Sequence, residues 1–346
     1  MHILFVDIDF HLKTRSADFF LELIRASFDV ETHYYHESYH ADIPQEKIDR
    51  ADLVIVWQTS LGRKDFVVNG KPCVFIPMYD DDWGSRAQWK RIGASGTHVI
   101  SFCDAISKRA TLGGVPANRL LDLRFAYDPD AFVGFEGDPE VAAIWDRGFF
   151  GLNEFKRIFP PGFFRKLIVI RRPQPGLSFA PISEADRTAY NISLIESEFI
   201  PKEEYLQLVR EPGVFLAPRP KEGIGMSFLE MLAMGKCVIA HNDATMNEYI
   251  TDGKNGIVRD FYAKSQNPIS REEIEAVRAS VKTFALSQFK RWKSDLVQIV
   301  SFMTEAAKRP PVNLEGLTDK LLRLAYAVEA GVSRMQTGVK SVFKPS

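Results

Sequence analysis

The sequence predicts an α/β protein built from parallel strands joined by helices. The main observation lies in residues 213–256, where an apolar run at 214–217 meets a loop rich in glycine and proline. A helical segment at 226–234 and a second apolar run at 237–240 follow. Strand, loop, helix and strand in this order predict a βαβ unit. A second observation agrees with it, because short apolar runs alternate with helical or irregular segments through the first hundred residues.

The N-terminal third predicts a parallel sheet of its own. Residues 3–6 form a continuous apolar run, as expected of a strand buried on both faces, and residues 17–27 carry apolar side chains on one helical face. Further strands are predicted at 30–35, 53–57, 73–78 and 98–102. Residues 7–11, with the sequence DIDFH, stand where a dinucleotide-binding dehydrogenase would have its glycine-rich turn, which argues against that class.

Length and composition exclude several classes of protein. A chain of 346 residues is long enough for two domains, and 45% hydrophobic with 26% charged residues is ordinary for a soluble protein. The net charge of -1 gives no global attraction to nucleic acid. Three widely spaced cysteines are typical of reduced thiols in a cytoplasmic protein. No apolar run reaches the ~20 residues needed to span a bilayer, and the N-terminal run is too short for a signal peptide.

The loop before the predicted helix at 226–234 has the character of an anion site. In a βαβ unit this loop lies at the carboxyl end of a strand, and the helix N-terminus points at the ligand. Two acids flank it, Glu222 in the loop and Glu230 two turns along the helix. Because a carboxylate repels phosphate, each Glu is expected to contact hydroxyl groups, as in a nucleotide-sugar. The backbone N–H groups expected to face the diphosphate are those of Gly223, Ile224, Gly225, Met226 and Ser227.

The same stretch resembles the C-terminal motif of retaining GT-B glycosyltransferases, and most closely glycosyltransferase family 4. That family has a Glu-Gly-hydrophobic-Gly run, a second Glu eight residues on, and then a further Glu and a Gly-x-x-Gly turn. The residues that carry the resemblance are Glu222, Gly223, Gly225, Leu229, Glu230, Met234, Gly235, Val238, Ile239, Ala240, Asn247, Glu248, Gly253 and Gly256.

The resemblance implies two Rossmann-like domains with a cleft between them and C-terminal helices that pack back on the N-terminal domain. We expect an acceptor domain at 1–133, a nucleotide-sugar donor domain at 134–285, and C-terminal helices and a tail at 286–346. The implied reaction is transfer of a hexose-type sugar from a nucleotide-sugar to a glycan or lipid-linked glycan hydroxyl, with retention and without a metal or other cofactor. Relatives with this motif commonly build bacterial surface polysaccharides.

Residue roles follow from the same resemblance. Glu222 would bind the donor sugar near the reacting carbon, and Glu230 would bind the ribose. Arg147 matches the arginine that holds the diphosphate, although Asp146 replaces the family's usual glycine. Arg171 is the candidate for the second cation, since Lys156 stands further along than the family's lysine.

Residues 80–82 leave a second interpretation open. Their D-x-D spacing after an apolar strand could hold Mg²⁺ or Mn²⁺ against a diphosphate, which is the device of metal-dependent transferases. In a third interpretation, Asp80, Asp81 or Asp82 binds acceptor hydroxyls or accepts the proton of the attacking hydroxyl, with Asp80 as the leading candidate. Family members often have a histidine near this point, and this sequence has none. A nucleotide-sugar epimerase of the same fold and a non-catalytic sugar-binding protein are also compatible with the sequence.

The C-terminal part is predicted to be helical. Apolar residues lie at helical spacing in two stripes, at 273–284 and 292–303, and the second stripe stands beside Lys290, Arg291 and Lys293. A basic amphipathic helix can bind an anionic membrane, so peripheral contact with the inner face of the cell membrane is the alternative to packing on the N-terminal domain. Residues 317–328 suggest a last helix, and a frayed tail is expected at 338–346.

Overall fold

The computed structural model confirms the α/β class, with two six-stranded sheets in which every strand pair is parallel. The structure describes residues 1–36, 43–58, 70–81, 85–172, 177–197, 200–217, 219–265, 267–309 and 312. Asp82, the suggested helix at 317–328 and the expected tail at 338–346 lie outside these residues.

The chain forms two compact units. One contains residues 1–123 and 295–346, and the other contains residues 124–294. Each unit contains one of the sheets.

The N-terminal sheet follows the predicted strands closely, with the order β2-β1-β3-β4-β5-β6. Its central strands are buried on both faces, and Ile3, Leu4, Phe5 and Val6 are all 0% exposed. This explains the unbroken apolar runs of the sequence. The strands are β1 (His2–Ile8), β2 (Asp29–Tyr35), β3 (Leu53–Gln58), β4 (Cys73–Pro77), β5 (His98–Ser101) and β6 (Leu120–Asp122).

The C-terminal sheet has the order β12-β11-β10-β7-β8-β9. Read from the other edge, this is the doubly wound order in which the first strand of the unit lies at the centre. The strands are β7 (Asp138–Asp146), β8 (Lys166–Arg171), β9 (Ile192–Glu196), β10 (Pro212–Ala217), β11 (Cys237–His241) and β12 (Ile257–Arg259).

Helices connect most of these strands. Most are short, since they only need to cross the sheet from the end of one parallel strand to the start of the next. They are α1 (Phe10–Thr14), α2 (Asp18–Arg25), α3 (Gln45–Arg50), α4 (Arg86–Ala94), α5 (Asp104–Leu112), α6 (Leu152–Ile158), α7 (Glu184–Ala189), α8 (Lys202–Leu208), α9 (Met226–Ala233), α10 (Met246–Tyr249) and α11 (Arg271–Lys308).

The chain after residue 270 is helical, as the sequence predicts, and both apolar stripes belong to one helix. Helix α11 runs without a break through 38 residues, so that it begins in one unit and ends in the other. Neither glycine nor proline occurs within it, and nothing in its sequence ends the helix between the two stripes.

The end of α11 packs within the N-terminal unit. Phe302 contacts the ring of His98 with 5.3 Å between the centroids, and the N–H of Val312 donates to the carbonyl of Ser95 at 3.0 Å. Further apolar residues of the predicted stripe, Trp292, Ile299 and Met303, are buried in the protein. In the described part of the chain, no helix is both long enough and apolar enough to cross a membrane.

A buried lysine lies at the start of β11. Lys236 is 0% exposed, and its Nζ donates to the carbonyl oxygen of Pro212 at 2.6 Å. Burial lowers the pKa of Lys236 to about 7, with a smaller contribution from the charge of Arg278. The folded protein therefore binds this proton more weakly than the unfolded chain does.

We predict a stability difference that depends on pH. Between pH 7 and 10 the unfolded chain holds the Lys236 proton and the folded protein does not, so the contribution of Lys236 to stability falls as pH drops through this window and grows as pH rises. The contribution of Lys236 to the free energy of unfolding rises with pH between pH 7 and 10, because in this range the unfolded chain binds more protons than the folded protein. The free energy of unfolding of wild type minus that of Lys236→Met should increase with pH by about 1.4 kcal/mol per pH unit. Urea unfolding at several pH values measures it. Lys254→Met, at an exposed lysine of the same unit, is the control; equal slopes for both variants would contradict the prediction.

Candidate functional site

The strand order of the C-terminal sheet reverses between β7 and β10. From β7 the chain adds β8 and β9 on one side, and then returns to add β10 on the other. At such a reversal the loops that follow the two strands diverge and leave a crevice at their carboxyl ends. The loop after β7 begins with Arg147, and the loop after β10 contains Glu222. The structure thus brings these two predicted site residues to the same edge of the sheet.

Helix α9 begins at this edge. Gly225 is its N-cap and has a φ of 81°, the left-handed region that glycine adopts without strain. A Cβ at this position would lie 1.8 Å from Cε1 of Phe228, which is itself fully buried. The first N–H groups of the helix have no partner within the helix, so the N-terminus of α9 carries partial positive charge towards the crevice.

Glu222 is held in the loop before α9. It is 8% exposed, and its Oε2 accepts a hydrogen bond from Nη1 of Arg219 at 2.7 Å. Its backbone carbonyl accepts from the hydroxyl of Thr245, at the start of α10. The residue is therefore fixed from two directions, and the orientation of its carboxylate does not depend on a bound ligand.

Glu230 faces a different environment. It is 3% exposed on α9, and burial raises its pKa. Nζ of Lys202, at the start of α8, contacts Oε1 of Glu230 and opposes this shift. The ring of Tyr205 lies below Nζ of Lys202, with 5.3 Å between Nζ and the ring centroid. The buried acid consequently keeps a cation beside it, although the side chain of that lysine is 56% exposed.

The two predicted cations differ. Arg147 follows the end of β7 directly, at the crevice. Arg171 ends β8 and is 6% exposed; its guanidinium donates to the carbonyl of Ala180 at 2.6 Å and lies 3.4 Å from Asp146. Glu196 is a further partner at 3.3 Å. Arg171 is thus held by protein groups, and Arg147 stands at the start of the loop that follows β7.

Asp146 explains the departure from the family's glycine at this position. It is buried, and its Oδ1 accepts the N–H of Gly148 at 2.9 Å while Oδ2 faces Arg171. Burial raises the pKa of Asp146, and the Gly148 N–H and Arg171 oppose the shift. The side chain therefore shapes the loop that begins at Arg147.

The other predicted acidic site belongs to the N-terminal unit. Asp80 is half-buried in a short 3-10 turn (Tyr79–Asp81) after β4, and Asp82 lies outside the described residues. Lys156 lies on α6 in an ion pair with Asp186 at 2.6 Å. Among the residues that the structure describes, no group of three or more His, Cys, Asp and Glu side chains is arranged to hold a metal ion.

Sequence reasoning missed the groups that hold the acids. Arg219 lies in the loop after β10, Thr245 lies at the start of α10, and Lys202 and Tyr205 lie on α8. Arg219 could have been suspected, because it stands three residues before Glu222 in the same loop. No local pattern connects Lys202 with Glu230, which is 28 residues away.

Comparisons with known proteins agree with this geometry. Residues 185–271, which include both acids, match the family model described as "Glycosyl transferases group 1". Similar solved structures include Anabaena HepE in complex with UDP and glucose, a glycosyltransferase from Rickettsia africae and sucrose-phosphate synthase from Thermosynechococcus elongatus. These findings support a GT-B glycosyltransferase.

The structural similarity covers nearly the whole of each of these proteins. HepE has a TM-score of 0.54 at 14% identity, over 89% of this chain and 99% of that protein. The Rickettsia enzyme has 0.57 at 12% identity over 89% and 99%, and the synthase has 0.57 at 13% over 88% and 98%. At these sequence identities the structural likeness shows the fold alone. A comparison with curated proteins found no match.

We predict that Gly225→Ala disrupts the site. The added Cβ must displace Phe228 in addition to forcing alanine into the left-handed region, so both the start of α9 and nucleotide binding should be lost. Gly253→Ala is the matched control, because Gly253 has a φ of 71° and open space around it. The control should cost only the roughly 1–2 kcal/mol of the backbone strain. Thermal unfolding and nucleotide binding by calorimetry measure both; equal effects of the two substitutions would contradict the prediction.

Proposed function

We propose that this glycosyltransferase moves a hexose-type sugar from a nucleotide-sugar donor to a hydroxyl of a glycan or lipid-linked glycan. One observation carries the proposal. At the carboxyl edge of the C-terminal sheet, α9 begins at Met226, and the sequence places one buried carboxylate before this start, Glu222, and another two turns along the helix, Glu230. An anion-attracting helix end with carboxylates on either side matches a ligand that is a diphosphate at its centre and carries hydroxyl groups at both ends.

The central task of the reaction is to stabilise the departing diphosphate. Breaking the bond between the sugar and the phosphate separates an oxocarbenium-like sugar from a leaving group that gains negative charge. In the proposed mechanism the N–H groups from Gly223 to Ser227 and the guanidinium of Arg147 stabilise that charge. Their arrangement is fixed by the fold, so little reorganisation is needed when the bond breaks. Arg171 contributes through Asp146, by holding the loop that carries Arg147.

The two acids bind the two ends of the donor. Arg219 orients the carboxylate of Glu222, which accepts a hydrogen bond from a sugar hydroxyl close to the reacting carbon. Lys202 supports the ionised form of Glu230 in spite of its burial, and an ionised carboxylate is the stronger acceptor for the two hydroxyls of a ribose. Asp80 as acceptor-side base stays a prediction.

The proposal includes retention of the anomeric configuration and catalysis without a metal ion, both implied by the resemblance to family 4. With a helix end and arginine at the diphosphate, front-face attack assisted by the leaving group needs no metal. We infer a role in bacterial surface polysaccharide synthesis, at the cytoplasmic side of the membrane. The three cysteines support a reducing compartment, since all of them are buried and free.

Glu222→Gln should reduce sugar transfer by roughly 100-fold or more while leaving the fold intact, because the variant keeps the shape and the Arg219 contact but loses the charge beside the reacting carbon. Nucleotide release from a panel of UDP-, GDP- and ADP-sugars measures it. Glu211→Gln is the control, since Glu211 lies at the opposite end of β10 in an exposed ion pair with Lys166. Unchanged turnover in Glu222→Gln would refute the role of this acid.

The same assay distinguishes metal-independent transfer from transfer that depends on a metal ion bound by the D-x-D acids. Transfer by wild type should survive EDTA if α9 stabilises the diphosphate. Loss of transfer in EDTA and recovery with Mn²⁺ would favour the D-x-D acids instead.

Glu230→Gln should weaken donor binding and leave the rate at saturating donor nearly unchanged. A lost or weakened hydrogen bond to the ribose is worth about 0.5–1.5 kcal/mol, which corresponds to an affinity about 2- to 12-fold lower. Calorimetry with the nucleoside diphosphate of the active donor measures the change. Equal affinity for the ribo- and 2′-deoxyribonucleotide in wild type would contradict the assignment.

A further inference from the structure

A buried acid–histidine pair lies at the carboxyl edge of the N-terminal sheet. Asp7, near the end of β1, is 0% exposed, and its Oδ1 lies 2.6 Å from Nδ1 of His11 on α1. The N–H of Ile8 donates to the same oxygen at 2.8 Å. His11 itself is 7% exposed. The two side chains are therefore held in one geometry by β1 and the helix that follows it.

The pair stands where this sheet reverses its order. From β1 the chain adds β2 on one side and then β3 on the other, so the order of the sheet reverses at β1. At the end of β3, Gln58 has a φ of 59°, a left-handed conformation that strains a residue with a side chain. Such strain is concentrated at ligand sites. Topology and strain thus point independently to the edge at which Asp7 and His11 meet.

The second carboxylate oxygen of Asp7 is a hydrogen-bond acceptor that is available to a ligand. Oδ2 is buried and has no hydrogen-bond partner within the described part of the chain. A buried polar atom in this state is rare unless a ligand or water completes it. Burial raises the pKa of Asp7, while the contact with His11 and the Ile8 N–H oppose the shift.

The imidazole of His11 has a second nitrogen that can form a hydrogen bond to a ligand. With Nδ1 bound to the carboxylate, Nε2 is the atom left for another group, and no hydrogen bond to Nε2 from the described residues is found. A hydroxyl is both donor and acceptor, so it matches Nε2 in either tautomer. Sugars present such hydroxyls in quantity.

We propose that Asp7 and His11 form a hydroxyl-binding pair in a ligand site of the N-terminal unit, and that the ligand is the hexopyranoside acceptor. The identity of the ligand rests on the proposed function; the site itself rests on the geometry of this unit. His11 contacts the hydroxyl through Nε2, and Asp7 positions the ring. The pair is distinct from Asp80, which follows β4.

Two near-isosteric substitutions separate this role from a structural one. His11→Asn keeps an amide where Nδ1 bonds Asp7 but has no atom at the place of Nε2. His11→Gln reaches the place of Nε2 but loses the Asp7 contact. The probes are the methyl glycosides of glucose, galactose, mannose and N-acetylglucosamine at millimolar concentration, observed by saturation-transfer NMR. We expect His11→Asn to bind the preferred glycoside about 10-fold more weakly, and His11→Gln to retain part of the affinity.

The chain contains a matched control on the same strand. His2, at the amino end of β1, also bonds an aspartate, with 2.8 Å between Nδ1 and Oδ2 of Asp29. His2→Asn should bind glycosides as wild type does. In wild type labelled with ¹⁵N-histidine, the glycosides should shift the ring-nitrogen signals of His11 and leave those of His2 in place, which tests the site without any substitution.

Three results would overturn the inference: no binding of any of the four glycosides to wild type, binding by His11→Asn equal to wild type, or NMR shifts that do not single out His11. Its failure can be distinguished from that of the proposed function. Glycoside binding that depends on His11, in a protein that binds no UDP, GDP or ADP, would refute only the donor site. Normal nucleotide binding and Glu222-dependent transfer, with glycoside binding unaffected at His11, would refute only this pair.

Discussion

The close contact between the start of α9 and the loop after β10 is the constraint on which the candidate site depends. Gly225 turns the chain in a left-handed conformation directly over Phe228, where a side chain does not fit. This turn directs the first N–H groups of the helix to the carboxyl edge of the sheet. It also fixes the spacing between Glu222 before the helix and Glu230 within it. The charge of the site and its two acids are consequently set by a single backbone conformation.

Buried charge in the C-terminal unit is balanced from nearby segments of the chain. Three cations contact three acids: Arg219 contacts Glu222, Lys202 contacts Glu230, and Arg171 contacts Asp146. An isolated buried carboxylate would take up a proton or unfold the site, because its desolvation costs more than one weak contact returns. Each pairing therefore orients an acid before a ligand arrives, and the contacts of Lys202 and Arg171 oppose the rise in pKa that burial causes at Glu230 and Asp146. The side chain of Lys202 remains largely exposed to solvent although it contacts the buried Glu230.

The two units repeat one architectural principle with different chemistry. In each sheet the first strand lies inside the order, and polar residues gather where the order reverses. The C-terminal reversal combines helix N–H groups, arginine and acids, which suits a charged donor. The N-terminal reversal combines a buried acid with a histidine, which suits a neutral, hydroxyl-rich ligand. The two sheets have closely related strand orders, so the units differ mainly in the side chains at the ends of their strands.

The sequence by itself determined the fold class, five of the six strands described in the N-terminal sheet and the position of the α9 loop, because apolar periodicity and glycine conformation act between near neighbours. It also predicted Glu222, Glu230 and Arg147 as donor-site residues, and the structure places Arg147 and Glu222 in loops at the same edge of the C-terminal sheet. The tertiary structure alone decided that Arg171 is already occupied by Asp146 and Glu196, that Lys202 faces Glu230, and that α11 is one helix. It alone buried Lys236, and it paired Asp7 with His11 at a sheet reversal. These features depend on the order of strands and on contacts between distant segments, and no local pattern of residues encodes which partner a buried charge will meet.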